Sequence, residues 1–238
     1  MYRLRRQLCI WTQGCRFVIY YLEFYAGEQA PLCCKFVIWK GEGKTMKMIK
    51  GMDISTLLEE EACGAKYYDF GEEADLLDIL KRYGVNSVRL RLWNDPYDEQ
   101  GNPYGAGTND LDKTICMAKR AKASGMGFLL DYHYSDFWAD PGKQIVPKAW
   151  QGYGPEQLEE AVYEYTVSTM TALREAGVAP TMVQVGNELT NGLLWPTGQK
   201  PNFDQLAKYI NAGIRGVREV DDQVKIMIHL DNGGFNEM

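Results

Sequence analysis

The sequence predicts an α/β protein whose parallel strands belong to a (β/α)8 TIM barrel, with only about the first five β/α units present. Three observations predict it. Short apolar strands alternate with amphipathic helices, strand then helix four times over and then a fifth strand, and such alternation builds a parallel sheet. Every strand ends in polar residues able to do chemistry: Asp53; Asn94 and Asp95; His133; Asn187 and Glu188; His229 and Asp231. Finally, a barrel uses all of its strand ends, whereas an open doubly wound sheet gathers its function at one switch point.

Taken in order, residues 1–47 read as an N-terminal extension outside the fold, and residues 48–238 as a partial barrel domain. Arg3, Arg5 and Arg6 precede the apolar run Leu8–Trp11, but Arg16 cuts that run and no small-x-small cleavage site follows. Met46 or Met48 is therefore the expected native start, and a cytoplasmic location is favoured over a secreted one. The first strand is Met48–Asp53. A helix is expected over Glu72–Tyr83, with Leu76, Leu77 and Leu80 on one face and Gly84 as its stop. Val85–Leu92 is the second strand, with Arg89 and Arg91 sharing a face. Asp110–Ser124 is the next helix, ended by Gly125.

Gly127–His133 makes a third strand, followed by a long aromatic loop through Trp138 and Trp150. A helix over Pro155–Ala176 has proline in its first turn and Gly177 after it. Met182–Val185 is short, apolar and β-branched, which marks a strand buried on both faces. It runs straight into Gly186-Asn187-Glu188. Phe203–Val220 is a further helix and Val224–Leu230 the fifth strand.

Composition narrows the function classes. The formal net charge of −6 is unevenly spread: residues 1–50 carry nine Lys/Arg against three acids, and the rest carries 17 against 29. That acidic body, without a basic stripe, argues against a nucleic-acid partner. No run is long enough to span a bilayer, so no membrane partner is expected. The cysteine spacings match no zinc motif, and no Gly-rich phosphate loop follows a strand. Neither a metal nor a cofactor is expected in the residues present.

Five motifs, each at a strand end and in order, then carry a resemblance: Gly51-Met-Asp-Ile-Ser55, Val88-Arg-Leu-Arg-Leu-Trp-Asn-Asp-Pro96, Leu130-Asp-Tyr-His-Tyr-Ser-Asp-Phe-Trp-Ala-Asp-Pro141, Val183-Gln-Val-Gly-Asn-Glu-Leu-Thr-Asn-Gly192 and Ile228-His-Leu-Asp-Asn232. From about Lys50 onward the chain resembles the arabinogalactan endo-β-1,4-galactanases of glycoside hydrolase family 53, in the clan of retaining barrel glycosidases. The resemblance implies a β-1,4-galactan or galacto-oligosaccharide substrate and a pair of glutamates. Glu188 is implied as the acid/base. The nucleophile belongs to a seventh strand that this sequence does not contain, so the chain by itself is expected to be inactive. Some bacterial members carry calcium in their C-terminal loops, and the resemblance leaves room for a metal only there.

By the same resemblance Asn187 hydrogen-bonds the sugar 2-hydroxyl and Arg91 orients the nucleophile; Arg89 shares that face of its strand. His133 and His229 are read as sugar hydrogen-bond donors. Trp93 and Trp195 are read as stacking faces for sugar rings, Trp150 as loop packing, and Trp138 fits either role. Asp53, Asn94, Asp95, Asp136, Asn191 and Asp231 complete the expected substrate-binding set, one or two of the aspartates being caps. Two other readings compete: a non-catalytic galactan-binding remnant, and another clan member such as a mannanase or cellulase. The Trp-Asn-Asp-Pro and Tyr-His-Tyr-Ser-Asp-Phe-Trp runs disfavour the second.

Overall fold

The computed structural model describes the backbone of strands β1 (Leu4–Ile10) and β2 (Val18–Phe24) and all of residues 48–231. Most of the expected extension, Met46 included, lies outside the described residues. Strands β1 and β2 pair antiparallel as a sheet of their own.

The body follows the expected alternation. In chain order it contains β3 (Gly51–Asp53), α1 (Leu57–Ala62), β4 (Tyr68–Asp69), β5 (Glu72–Glu73), α2 (Leu76–Arg82), β6 (Ser87–Leu92), α3 (Leu111–Ala123) and β7 (Gly127–Tyr132). Helix α4 (Pro155–Glu175), β8 (Met182–Val185), β9 (Gly192–Leu193), β10 (Gly198–Gln199), α5 (Phe203–Val220) and β11 (Lys225–Met227) follow. Strands β3, β6, β7, β8 and β11 form one sheet in sequence order with every pairing parallel. Sequential parallel neighbours joined by helices are the β/α units of a barrel, here a partial one.

Side-chain alternation divides this sheet into two chemically opposite faces. Val88, Leu90, Leu92, Phe128, Leu130, Tyr132, Val183 and Val185 point outward and join the helices in one apolar core. Asp53, Arg89, Arg91, Asp131 and Gln184 point inward. The register aligns Asp53 with Arg89, and Arg91 with Asp131 and Gln184. Helix α5 comes close to the sheet because Gly213 lacks a side chain: a Cβ there would stand 2.6 Å from the Tyr134 hydroxyl and 2.7 Å from Val185.

The first, second and fifth parallel strands are shorter than anticipated, at Gly51–Asp53, Ser87–Leu92 and Lys225–Met227, and one helix starts later. Glu72 and Glu73 do not begin a helix; they pair with Tyr68 and Asp69 across a hairpin turn in which Phe70 and Gly71 both have positive φ. Asp75 then caps α2, accepting from the Leu77 amide at 2.7 Å, so the helix starts at Leu76. Asp110 caps α3 in the same way through Lys113.

Candidate active site

The C-terminal ends of the five parallel strands enclose a connected set of buried polar groups. Arg89, from β6, is its centre. Its Nη1 pairs with Asp53 at 3.1 Å, and its Nη2 reaches both Asp131 at 2.6 Å and the Asn187 side-chain oxygen at 2.8 Å. Asp131 is fully buried and also accepts from His133 Nε2 at 3.0 Å and from the Gln184 amide. Arg91 pairs with Asp53 at 3.2 Å and lies beneath the Trp138 ring, 4.4 Å from its centroid. Two of its guanidinium nitrogens, Nε and Nη1, have no hydrogen-bond partner among the described residues, and the ring face supplies the interaction instead.

Electrostatics follow from these contacts. Burial opposes ionisation of Asp53 and Asp131, but the arginines override it: Arg91 and Arg89 hold the Asp53 carboxyl well below the usual range, and Arg89 with His133 lowers Asp131. His133 is fully buried, and burial lowers its pKa despite Asp131. Its Nδ1 accepts from the Ala139 amide at 3.0 Å, so the ring hydrogen sits on Nε2 and is donated to Asp131.

Asn187 is held by the same network. Its amide nitrogen donates to the Ala139 carbonyl at 2.9 Å, which turns its oxygen toward Arg89, Gln184 at 3.1 Å and His229 Nδ1 at 2.8 Å. His229 must then carry its hydrogen on Nδ1. Burial lowers its pKa, with Arg89 adding to the effect.

Glu188 follows at once. It adopts the left-handed conformation, φ 53° and ψ 54°, just after Gly186 at φ 81°. No glutamate prefers that backbone, and a strained residue at a strand end is a recurring mark of a functional position. Its carboxyl is half-buried and makes no hydrogen bond among the described residues. Half-burial raises its pKa, Asp231 reinforces the rise, and Arg89 opposes it.

Several expected substrate groups are committed to the protein itself. Trp93 is completely buried, 4.9 Å from Phe137 between ring centroids, and offers no face to a sugar. His133 has both ring nitrogens engaged. Asp53 uses both oxygens on arginines. Asp136 accepts the Asp95 amide at 3.0 Å and the Lys148 amide at 2.7 Å, pinning two loops together. Asn191 spends its amide on the Pro141 carbonyl at 2.9 Å. Arg91, expected to orient the nucleophile, pairs with Asp53, and the guanidinium that reaches Asn187 is that of Arg89.

Asn94, Trp138, Trp195, His229 and Asp231 stay partly exposed, and Asp95 is exposed, paired with Lys148 at 3.1 Å. Trp195 donates its ring N–H to the Asn191 carbonyl at 3.0 Å and lines an open groove of about 370 Å³ with Trp150, Tyr153 and Gln144. Arg89, Asp131, Gln184 and Gln144 were not among the expected site residues. Strand alternation carried the signal for the first three: each falls on the face of its strand that carries the polar residues.

Comparison with known proteins places the chain. The model of glycosyl hydrolase family 53 matches residues 49–237. An endo-β-1,4-galactanase of Bacillus subtilis is 43% identical over 194 residues, covering 81% of this chain and 44% of that protein. Arabinogalactan endo-β-1,4-galactanase A of Aspergillus niger is 42% identical, covering 77% and 51%. Among solved structures, a family 53 catalytic domain of Ignisphaera aggregans superposes with a TM-score of 0.75 at 50% identity, over 76% of this chain and 51% of that one. A fungal β-1,4-galactanase gives 0.69 at 40% identity, over 76% and 53%. The chain thus spans about half the length of the relatives it matches. With that model matching residues 49–237, most of its length, the chain belongs to glycosyl hydrolase family 53.

Proposed function

We propose that the chain carries the acid/base half of a retaining β-1,4-galactanase site. Glu188 is the group that protonates the leaving glycosidic oxygen. The single observation that carries this reading is the setting of Glu188: in left-handed backbone at the end of β8, half-buried, without a hydrogen-bonding partner among the described residues, its pKa raised by burial and by the charge of Asp231. A general acid works best with a pKa near the operating pH, and burial next to like charge is how a carboxyl is moved there. The galactanase activity printed for the Bacillus and Aspergillus relatives supports β-1,4-galactan as the substrate class.

Retaining hydrolysis needs a second carboxylate about 5–5.5 Å from the first, to attack the anomeric carbon. Among the described residues Glu188 is the only glutamate directly following a strand of the five-stranded sheet. Residues 1–238 alone should therefore bind β-1,4-galacto-oligosaccharides and release no reducing ends from β-1,4-galactan. Binding by calorimetry, weakened by Trp195→Ala, is the expected result. Absence of any binding would remove the galactan reading. Hydrolysis abolished by Glu188→Gln would instead show that the pair is complete within this chain.

A further inference from the structure

The loops after β7 and β8 are stitched together by three side-chain amides running in both directions. Asn187 donates to the Ala139 carbonyl at 2.9 Å and Asn191 to the Pro141 carbonyl at 2.9 Å. In return Gln144 Nε2 donates to the backbone carbonyl of Asn187 at 2.8 Å. The same nitrogen donates to the Asp140 carbonyl at 3.2 Å and stands 3.5 Å from the Glu188 carbonyl. Gln144 is 2% exposed. Its own backbone carbonyl is anchored by the Trp195 amide at 2.8 Å, and Ile145 bridges to Trp195. The Gln144 arm therefore has a fixed base and a fixed tip.

What the tip holds is the turn that sets Glu188. Gly186 and Glu188 both lie in left-handed backbone, and only the glycine is at ease there. Beyond the turn, the Leu189 amide donates to the His229 carbonyl at 2.9 Å. Within the turn, Gln184 Nε2 donates to the Gly186 carbonyl at 3.0 Å and the Asn187 side chain is held by Arg89, Gln184, His229 and Ala139, while Gln144 is the side chain that holds the Asn187 backbone carbonyl.

The surroundings call for an uncharged donor, which the amide nitrogen supplies, while the buried Gln144 Oε1 has no hydrogen-bond partner among the described residues. Three carbonyl oxygens converge on one nitrogen, so the group must donate more than one hydrogen bond, stay uncharged in a buried place and reach from an anchored loop. A carboxylate would confront three acceptors with none to give.

We propose that Gln144 is a positioning residue for the acid/base. By holding the Asn187 carbonyl, its side-chain amide fixes the left-handed turn and hence the point from which the Glu188 carboxyl enters the mouth. Gln144 touches no reacting atom and acts only through the peptide it holds. The inference rests on the reading of Glu188 as acid/base, and it is tested without turnover.

The experiment uses residues 1–238 labelled with ¹³C at glutamate side-chain carboxyls and backbone carbonyls. Wild type is compared with Gln144→Met, which keeps the volume and removes both donors, and with Gln144→Glu, which keeps the shape and replaces the amide by acceptors. In wild type Glu188 titrates above the ordinary glutamate range. In Gln144→Met its titration moves down toward that range and the Asn187 carbonyl resonance shifts, while cooperative melting is retained. Gln144→Glu behaves the same way wherever its own carboxyl is ionised, and recovers in part once that carboxyl is protonated and can donate. An unchanged Glu188 titration in a cooperatively folded Gln144→Met would overturn the proposal. Should that variant not fold, Gln144→Asn, which withdraws the amide by one methylene, is read by the same two outcomes. Calorimetry with β-1,4-galactotriose runs beside it: no binding by wild type would sink the galactan reading and leave the effect of Gln144 on the turn still measurable.

Discussion

Arg89 and Asn187, 98 residues apart in the chain, meet at 2.8 Å, guanidinium to side-chain amide oxygen. That bond ties the second strand of the parallel sheet to the turn that presents Glu188. It also explains why Asn187 points its oxygen inward and its nitrogen toward Ala139, because the guanidinium can only donate.

Removing Arg89 should be expensive. Arg89→Met leaves Asp131 fully buried without its strongest partner, and breaking a buried pair from one side costs about 3–5 kcal/mol. Urea unfolding at neutral pH should show that loss. Arg91→Met, whose charge sits against one carboxylate and an aromatic ring, should cost less.

Acid should weaken the fold in two stages. His133 and His229 have pKa values lowered by burial, so their contribution is present above the ordinary histidine value of 6.5 and is lost as pH falls below it. Asp53 and Asp131 are also lowered, so their contribution persists until pH drops below the ordinary aspartate value of 3.8. A melting temperature that declines from about pH 6.5 and then more steeply below about pH 4 is expected. His229→Gln should flatten the first stage.

Glu188 works in the opposite sense. Its folded pKa is raised, so the fold is favoured when the carboxyl is protonated, and that contribution disappears as pH rises through the folded value. Glu188→Gln should therefore be slightly more stable than wild type at neutral pH, with the difference vanishing in acid. Parallel melting curves at pH 7.5 and pH 4 measure it; an equal difference at both would count against the shift.

Trp93 and Trp195 should separate stability from binding. Trp93→Ala empties a fully buried site and should cost about 3–5 kcal/mol in denaturant unfolding. Trp195→Ala removes a half-buried ring at the groove and should lower oligosaccharide affinity with a much smaller change in stability.

Gly186 should not accept a side chain. An alanine there would be left-handed, and its Cβ would stand 2.7 Å from a methyl of buried Leu189, a combination worth about 2–4 kcal/mol. Thermal unfolding of Gly186→Ala would measure it.

Much of this was legible in the residues. The order and ends of the parallel strands, the helices from Asp110 to Val220 and the prominence of Glu188 follow from alternating apolar runs that stop at polar residues. Strand pattern alone did not separate Arg89 from Arg91, because residues two apart share a face, and the preference for Arg91 came from resemblance; the pairing register sets Arg89 opposite Asp53. Asp131 and Gln184 stand inside apolar runs that read as buried strand, and only the alternation of those runs marks them as facing the mouth. Gln144 sits in a loop with no motif. Trp93 looked like a rim residue because nothing local reveals that Phe137 packs on it from another loop. The hairpin at Phe70-Gly71 displaced a helix start, since acidic residues suit a first helical turn and an exposed short strand alike.

The two-faced sheet has a further consequence for how the protein can change. Its outward residues hold the helices and its inward residues hold charge, and few side chains serve both. Substitutions at Val183 and Arg89, two strands apart and on opposite faces, should combine more nearly additively than substitutions at Val88 or Leu90 with Arg89, which they flank on one strand. A lineage could retune its thermal tolerance on one side of the backbone while leaving the electrostatic field of the mouth undisturbed on the other.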